Sequence, residues 1–245
     1  MAAENMCVIY LAFQHHPDHP LILLANRDEY YERPSASAAY WDDHPDIYGG
    51  RDLVRGGTWL GVTRDGRFAA VTNYRDPSAP TGTRSRGDLV AGFLKSECSA
   101  EEYLREVRSD RGEYSGFNLL VGRIGDLSEI FYYSNRGRDP RKLAPGVYGL
   151  SNHLLDTPWP KVERGKAAFA RLLANGDLAD DRLFDILSDE TLAADDELPS
   201  TGVPYEAEKA ISAIFIKTEG YGTRCSSVLK FGRDCSSSFE ERVFV

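Results

Sequence analysis

Two short runs of apolar and β-branched residues near the start of the chain have the pattern of buried strands. Residues 7–13 (CVIYLAF) and 21–25 (LILLA) are separated by a Pro-bearing turn, which predicts a hairpin. The polar stretch that follows, which holds Trp41 and the Gly49-Gly50 pair, predicts a loop. The chain is therefore expected to begin in a sheet.

Further strands are predicted along the rest of the chain. Residues 58–63 and 68–72 flank an Asp-Gly step at Asp65 that suits the tight turn of a second hairpin. The acidic, Pro-bearing segment 189–204 predicts a surface loop. The remaining strand-like runs are residues 117–121, 129–133, 147–150, 213–217, 226–231 and 241–245.

Helical periodicity is found in the middle of the chain. Apolar residues recur at helical spacing in residues 87–95, and Ser99 is the expected N-cap of a second helix. Residues 159–174 carry an apolar stripe, with Lys161 on another face. Because the strands mostly neighbour one another and the helices are grouped, the pattern predicts an α+β layered fold in a single domain.

Composition and charge exclude several classes of protein. The 245 residues are 42% hydrophobic and 27% charged, as in ordinary globular domains. A net charge of -9 argues against non-specific binding of nucleic acid or of an anionic membrane surface. Of the 29 basic residues, 22 are Arg, which leaves room for local clamps on carboxylate or phosphate.

The four cysteines have neither redox-pair nor zinc-site spacing, which predicts reduced thiols and a cytoplasmic location. No signal peptide or stable membrane insertion is expected, because no apolar run approaches the roughly 18 residues of a membrane span. His15, His16 and His19 surround Asp18, but their spacing fits no fixed ligand geometry. Neither a metal nor a cofactor is expected.

The sharpest local feature is the run Asn26-Arg27-Asp28-Glu29, directly after a buried strand. If the strand continues, Asn26 and Asp28 share one face and Arg27 and Glu29 the other. If it does not, the four residues form a solvated charged turn. The sequence leaves both alternatives open.

Cys7 begins the first predicted strand and follows an internal methionine. A free cysteine at such a position is most often a small buried hydrophobe. If Met6 were the true start and were removed, Cys7 would carry both a thiol and a free α-amine. An α-amine has a pKa near 8 and can serve as the base for its own thiol.

Several motifs in order along the chain carry a resemblance to a known family. The chain resembles the NRDE family, also called transport and Golgi organisation protein 2 homologues, from Met6 to about Ser227. The motifs are Met6-Cys7, Ala25-Asn26-Arg27-Asp28-Glu29-Tyr30, Arg33-Pro34, Gly50-Arg51-Asp52, Gly57-Thr58-Trp59-Leu60-Gly61, Thr72-Asn73-Tyr74-Arg75, Leu150-Ser151-Asn152-His153 and Asp156-Thr157-Pro158-Trp159-Pro160-Lys161. The resemblance implies an N-terminal nucleophile (Ntn) hydrolase-like αββα sandwich over residues 6–245, after an extension of residues 1–5.

Similarity to cysteine Ntn amidases of the penicillin acylase and bile-salt hydrolase type implies roles for individual residues. Cys7 matches the nucleophile and Asp28 the acid that orients its α-amine, with Arg27 beside it. Asn73 and Asn152 match the amides that line the oxyanion site. Arg224 matches a late arginine that favours the thiolate. The candidate substrate-binding residues are Asn26, Glu29, Trp59 and Tyr74.

Each of these side chains also has a purely structural interpretation. Asn73 and Asn152 are suited to capping turns at strand ends, and Arg224 to carrying a surface charge. A retained extension of residues 1–5 would leave an amide at the Cys7 nitrogen where the mechanism needs an amine.

The resemblance leaves two functions open. The first is a cysteine amidohydrolase that acts on a small amide or N-acyl compound. The second is a non-catalytic binding or trafficking protein for haem, acyl-CoA or a related amphipathic ligand. Both imply a small-molecule partner and no nucleic acid, and the sequence does not decide the oligomeric state.

Overall fold

The computed structural model describes residues 7–125, 127–234 and 236–245. The predicted extension of residues 1–5 lies outside the described residues. In the described part, the strands are β1 Cys7–Phe13, β2 Leu21–Tyr30, β3 Ser35–Trp41, β4 His44–Asp52, β5 Leu60–Thr63, β6 Arg67–Asn73, β7 Phe117–Arg123, β8 Glu129–Ser134, β9 Arg141–Lys142, β10 Gly146–Leu150, β11 Tyr221–Phe231 and β12 Ser237–Val243. The helices are α1 Gly87–Lys95, α2 Ala100–Ser109, α3 Pro160–Asn175, α4 Asp180–Leu187 and α5 Tyr205–Ala210.

The strands form two antiparallel sheets. Sheet A has the order β10-β1-β2-β11-β12, and sheet B has the order β3-β4-β5-β6-β7-β8-β9. Apolar side chains of both sheets, such as Leu23 and Phe68, form one buried core between them. Burial of this shared apolar surface holds the two sheets face to face.

Helices cover the outer face of each sheet. Leu89 and Phe93 of α1 pack with residues of β6 and β7 on sheet B. Phe169 of α3 and Leu183 of α4 pack with residues of β1 and β2 on sheet A. The layers therefore run helix, sheet, sheet, helix, which confirms the predicted four-layer αββα sandwich. Within the described ranges, no helix is long and apolar enough to cross a membrane.

Strand alternation decides which residues of β1 and β2 face the interior between the sheets. Ile9 and Leu11 of β1 belong to the core between the sheets, whereas Val8 and Tyr10 pack with the helices. Because side chains alternate with a period of two, Cys7 falls on the same face as Ile9. The strand β2 continues through the charged run to Tyr30, so the solvated-turn alternative is wrong.

Several predicted elements differ from the structure. The stretch predicted as a polar loop forms β3 and β4, and β3 is a largely exposed edge strand without an apolar pattern. The strand predicted over 213–217 is absent, since only Lys217 makes an isolated bridge there. Its apolar residues are buried by packing and do not pair with another strand. No prediction was made for α4 and α5.

The placement of Lys161 is also a correction. Lys161 was expected away from the apolar stripe of its helix, yet it is 2% exposed in the first turn of α3. The tight contact between α3 and sheet A explains this, because the hydroxyl of Tyr10 donates to the Lys161 carbonyl oxygen at 2.8 Å. The lysine is thus enclosed between the helix and the sheet.

Candidate functional site

A cavity of about 480 Å³ opens where the two sheets meet at one end of the sandwich. It lies beside the beginnings of β1 and β11 and the end of β2 from sheet A, and the end of β6 from sheet B. The structure brings seven of the ten predicted site residues to its wall. These are Cys7, Arg27, Asp28, Glu29, Trp59, Asn73 and Arg224.

Cys7 lies at the cavity wall and is 5% exposed. In the register of β1 and β2 it pairs with Arg27. Burial, and next the negative charge of Asp28, raise the pKa of the Cys7 thiol to about 12. The backbone of Asp28 makes a hydrogen bond to the thiol that opposes this rise in pKa. In this environment the thiol is protonated at neutral pH.

Asp28 is fully buried next to Cys7. Its Oδ1 accepts a hydrogen bond from the Thr223 hydroxyl at 2.6 Å, while Oδ2 has no partner among the described residues. Burial raises the pKa of the carboxyl group, and the positive charge of Lys161 is the largest effect that opposes it. The free Oδ2 is an acceptor available to a group beside it.

Lys161 is the site residue that sequence reasoning missed. Its ammonium donates to the Ile211 carbonyl oxygen at 3.0 Å, and burial lowers its pKa, with Asp28 the main opposing charge. Helical periodicity could not reveal it, since a charged residue does not contribute to an apolar stripe. The resemblance did include Lys161 in a motif, which was the one available signal.

Ser151 and Asn152 connect the backbone of Cys7 to that of Asn73 through close polar contacts. The Ser151 hydroxyl donates to the Cys7 carbonyl oxygen at 3.0 Å, and its oxygen lies 3.1 Å from Asn152 Oδ1. Asn152 Nδ2 in turn donates to the Asn73 carbonyl oxygen at 3.1 Å. Asn152 therefore positions the backbone of Asn73 and does not itself line the cavity.

Asn73 ends β6 and places its side chain at the cavity wall. Its Nδ2 is buried and donates to no acceptor in the described chain. An unused N–H donor at such a position costs free energy unless an acceptor binds there, so Asn73 Nδ2 is suited to donate to a ligand oxygen.

Arginines and carboxylates form a network on the cavity side of β2. Arg27 Nη2 lies 3.6 Å from Glu29 Oε2, and Arg33 Nε lies 2.6 Å from Asp52 Oδ2. Glu29 is 1% exposed, and burial raises its pKa despite the neighbouring arginines. Arg27 and Glu29 thus share one face of the strand, as the alternation predicts.

Arg224 lies at a β-bulge in β11. The pairing of β11 with β2 shifts between Thr223 and Cys225, so Arg224 is the extra residue. Its guanidinium donates to the carbonyl oxygens of Tyr30 and Arg33, and its Nε has no hydrogen-bond partner among the residues described. Burial lowers its pKa, and the charge of Arg27 adds to that effect.

Two predicted substrate-binding residues lie away from the cavity wall. Asn26 is on the helix side of β2, where its Nδ2 donates to the carbonyl oxygens of Leu187 at 2.8 Å and Ile214 at 2.9 Å. These bonds attach sheet A to its outer layer. Tyr74 packs its ring against His153, with ring centroids 4.8 Å apart.

Comparison with known proteins agrees with this fold. The Caenorhabditis elegans N-acylethanolamine-hydrolyzing acid amidase (NAAA) ortholog superposes with a TM-score of 0.52 and 9% sequence identity. The match covers 98% of this chain and 100% of that chain. At this identity the likeness shows a shared fold, which is the Ntn-hydrolase-like fold that the sequence predicts.

Sequence comparison assigns the family. The chain is 38% identical to the Bos taurus Transport and Golgi organization protein 2 homolog, over 97% of this chain and 92% of the relative. It is 36% identical to the Homo sapiens homolog with the same coverage. The family profile described as Transport and Golgi organisation 2 matches residues 6–245. The chain therefore belongs to the Transport and Golgi organisation 2 family, as its motifs indicate.

Proposed function

We propose that this protein is a cysteine amidohydrolase that acts on a small amide or N-acyl compound, with Cys7 as its nucleophile. The observation that carries the proposal is that Cys7 shares a cavity wall with the unused N–H donor of Asn73. A nucleophile next to a free donor is the arrangement that acyl transfer needs.

In the proposed reaction the Cys7 sulfur attacks the amide carbonyl carbon, and the thiol proton passes to the base. Asn73 Nδ2 donates to the oxygen that becomes negative in the tetrahedral intermediate. The C–N bond then breaks, and the amine leaves with that proton. Water hydrolyses the resulting thioester, which releases a carboxylic acid and restores the thiol.

The α-amine of Cys7 is the base that this reaction needs. With a pKa of about 12, the thiol has almost no thiolate at neutral pH. A free α-amine has a pKa near 8, which suits it to accept the thiol proton. Asp28 Oδ2, which has no partner in the described part of the chain, is suited to accept a hydrogen bond from that amine. We infer that cleavage after Met6 creates the active form.

The shared fold supports the choice of substrate class. The amidase that superposes on this chain is named for the hydrolysis of N-acylethanolamines. We extend only the bond type, an amide of an acyl group, to this protein. A cytoplasmic location is part of the same proposal and rests on the sequence.

The test is hydrolysis by protein prepared with Cys7 as its first residue. N-acylethanolamines and N-acylglycines of increasing chain length are incubated with this protein, and the released amine is measured. We expect turnover that Cys7→Ala abolishes. Cys98→Ala, at a half-buried thiol away from the cavity wall, is the matched control and retains it. Absence of turnover across the series, with the N-terminus verified, contradicts the proposal.

A second candidate function has one observation in its favour. While Met6 remains attached, the Cys7 thiol is buried and protonated, so it is better suited to lining the cavity than to attacking a carbonyl carbon. The protein would then bind an amphipathic ligand, such as haem or an acyl-CoA, without covalent chemistry. Saturable binding that survives Cys7→Ala, together with no turnover by the processed protein, favours this alternative.

A further inference from the structure

We propose that the cavity contains an anion subsite, formed by Arg224 and Arg55, that binds a carboxylate or phosphate group of the ligand. The inference deepens the proposed function, because it names a chemical feature of the substrate. It rests on the charges of the cavity wall and on the geometry that brings the two arginines to one side of it.

The charge of the wall is opposite to that of the molecule. The chain carries a net charge of -9, yet among the described residues seven arginines and only four Asp or Glu side chains line the cavity. Every basic side chain among these wall residues is an arginine, whose planar guanidinium matches the oxygens of a carboxylate or phosphate. The arginines are Arg27, Arg33, Arg51, Arg55, Arg84, Arg86 and Arg224.

Most of these charges already have partners within the protein. Arg27 and Arg33 lie against Glu29 and Asp52. Two further arginines pair with carboxylates outside the wall, Arg51 with Asp43 and Arg84 with Asp110. The wall carboxylate Glu241 accepts from the Ala38 backbone N–H at 2.7 Å.

Arg55 and Arg224 differ from these four arginines. Within residues 7–125, 127–234 and 236–245, neither guanidinium lies within 4.0 Å of an Asp or Glu carboxylate. Arg224 is 8% exposed, it donates to backbone oxygens of Tyr30, Arg33 and Val245, and its Nε is unused. A buried N–H that donates to no acceptor costs free energy, and a bound anion that accepts from it removes that cost.

Backbone contacts bring the two arginines to the same part of the wall. The Arg224 guanidinium donates to the Arg33 carbonyl oxygen. The next carbonyl oxygen along the chain, that of Pro34, accepts from the Leu53 N–H at 3.1 Å, and Leu53 begins the loop that carries Arg55. Residues 33–34 thus contact both the Arg224 guanidinium and the start of the loop that carries Arg55.

The strand register sets the distance from this subsite to the nucleophile. Cys7 pairs with Arg27, and Arg27 pairs with Cys225, which follows the bulge residue Arg224. Neighbouring strands are about 4.8 Å apart, so Arg224 lies about 10 Å from Cys7 across the sheet. This is the separation of the two backbones, and a long arginine side chain spans part of it, so we expect an acyl amide whose anionic group lies a few bonds from the amide.

The test is calorimetric binding in a Cys7→Ala background, where no turnover consumes the ligand. Three ligands differ only in the group beyond the amide: N-hexanoylethanolamine is neutral, N-hexanoylglycine carries a carboxylate, and N-hexanoylphosphoethanolamine carries a phosphate. We expect both anions to bind at least about tenfold more tightly than the neutral ligand. The tighter of the two identifies the natural anion.

Two variants locate the subsite. Arg55→Gln and Arg224→Gln should each weaken anion binding about tenfold and leave the neutral ligand unchanged. Arg105→Gln, an exposed change on α2, is the matched control and should change neither. Because Arg55 is exposed, we expect Arg55→Gln to fold. That variant therefore tests the subsite even if Arg224→Gln does not fold.

The outcomes separate this inference from the proposed function. Equal affinity for the three ligands, no binding by any of them, or an anion preference that survives Arg55→Gln overturns the anion subsite. Hydrolysis of the neutral amide by processed protein would still support the amidohydrolase in that case. Anion binding that Arg55→Gln weakens, without hydrolysis of any ligand, supports the subsite and contradicts the amidohydrolase.

Discussion

At the scale of single residues, the ionisation of Cys7 determines what the cavity can do. Its thiol belongs to a fully buried strand position beside the negative Asp28, and both effects favour the protonated form. The same enclosure strengthens any hydrogen bond that the Asn73 amide donates to a ligand oxygen. Under the proposed mechanism, the group attached at the Cys7 nitrogen therefore decides whether the site reacts.

The raised pKa predicts how Cys7 reacts in the chain that retains Met6. With a pKa of about 12, only about one thiol in 100,000 is ionised at pH 7. Because the thiolate fraction grows with pH, alkylation by iodoacetamide should accelerate about tenfold per pH unit between pH 7 and 10. Peptide mass spectrometry of the labelled Cys7 measures this rate. A plateau below pH 9 would show an ordinary thiol.

Asn73 should contribute to the transition state and little to ground-state binding. In processed protein we expect Asn73→Ala to lower kcat by about 100-fold to 1,000-fold, with KM nearly unchanged. Steady-state hydrolysis of an N-acyl amide measures both constants. A rise in KM at constant kcat would instead assign Asn73 to substrate binding.

At the scale of elements, the packing of α3 against sheet A holds in place the strand β1, which begins at the site. Gly165 of α3 lies against the ring of Tyr10, and an added Cβ would be 2.0 Å from the ring carbon Cζ. Tyr10 is fully buried, and its hydroxyl donates to the carbonyl oxygen of Lys161. This contact couples the lysine that faces Asp28 to the strand that begins with Cys7.

Gly165→Ala should therefore be strongly destabilising. The rigid ring cannot move aside within the core, so we expect a loss of about 1–3 kcal/mol in the free energy of unfolding. Urea denaturation followed by circular dichroism measures it. Gly112→Ala is the control, because no atom lies within 4 Å of the added Cβ. Equal stability of the two variants would show that α3 does not pack tightly on β1.

Elements with a strong internal pattern were predictable from the sequence. The first strand is found with the bounds expected, and the Ser99 capping box begins α2. The edge strand β3 has no such pattern, because its face toward solvent needs no apolar residues. The strand predicted over 213–217 is wrong for a different reason. The segment is apolar because it packs in the core, and it does not pair as a strand.

At the scale of the whole molecule, a buried ion pair joins distant parts of the chain near the site. Arg75 follows β6 of sheet B and pairs with Glu208 of α5, with both side chains no more than 5% exposed. The Arg75 guanidinium also lies 4.6 Å from the centre of the Trp159 ring, just before α3. The pair thereby connects the two halves of the sandwich.

Arg75→Met should destabilise the protein by about 3–5 kcal/mol, because it leaves the Glu208 charge buried without its partner. Urea unfolding monitored by tryptophan fluorescence measures this change. Arg105→Met removes an exposed arginine that lies 4.0 Å from Glu101, and it should alter stability by less than about 0.5 kcal/mol. Similar values for both variants would place the Arg75 pair outside the cooperative core.

The sequence predicted the layered fold, and most of the site residues predicted from it lie at the cavity wall, since motif residues at strand ends converge in this architecture. It could not predict contacts that depend on packing between layers. The burial of Lys161 arises from such contacts, and the bulge at Arg224 is a local shift in the pairing of β11 with β2 that no sequence pattern marks. The prediction that Asn26 binds substrate fails for a related reason: its side chain is held by carbonyl oxygens of the outer layer, away from the cavity wall.

The central claim is that Cys7 forms a covalent bond with an acyl group. Intact-mass spectrometry of protein that begins at Cys7, quenched in acid during reaction with N-acyl amides, tests it most directly. We predict an added mass equal to the acyl group, located on the Cys7 peptide and absent from Cys7→Ala. An unmodified Cys7 together with no released amine, across neutral and anionic amides, would contradict the account.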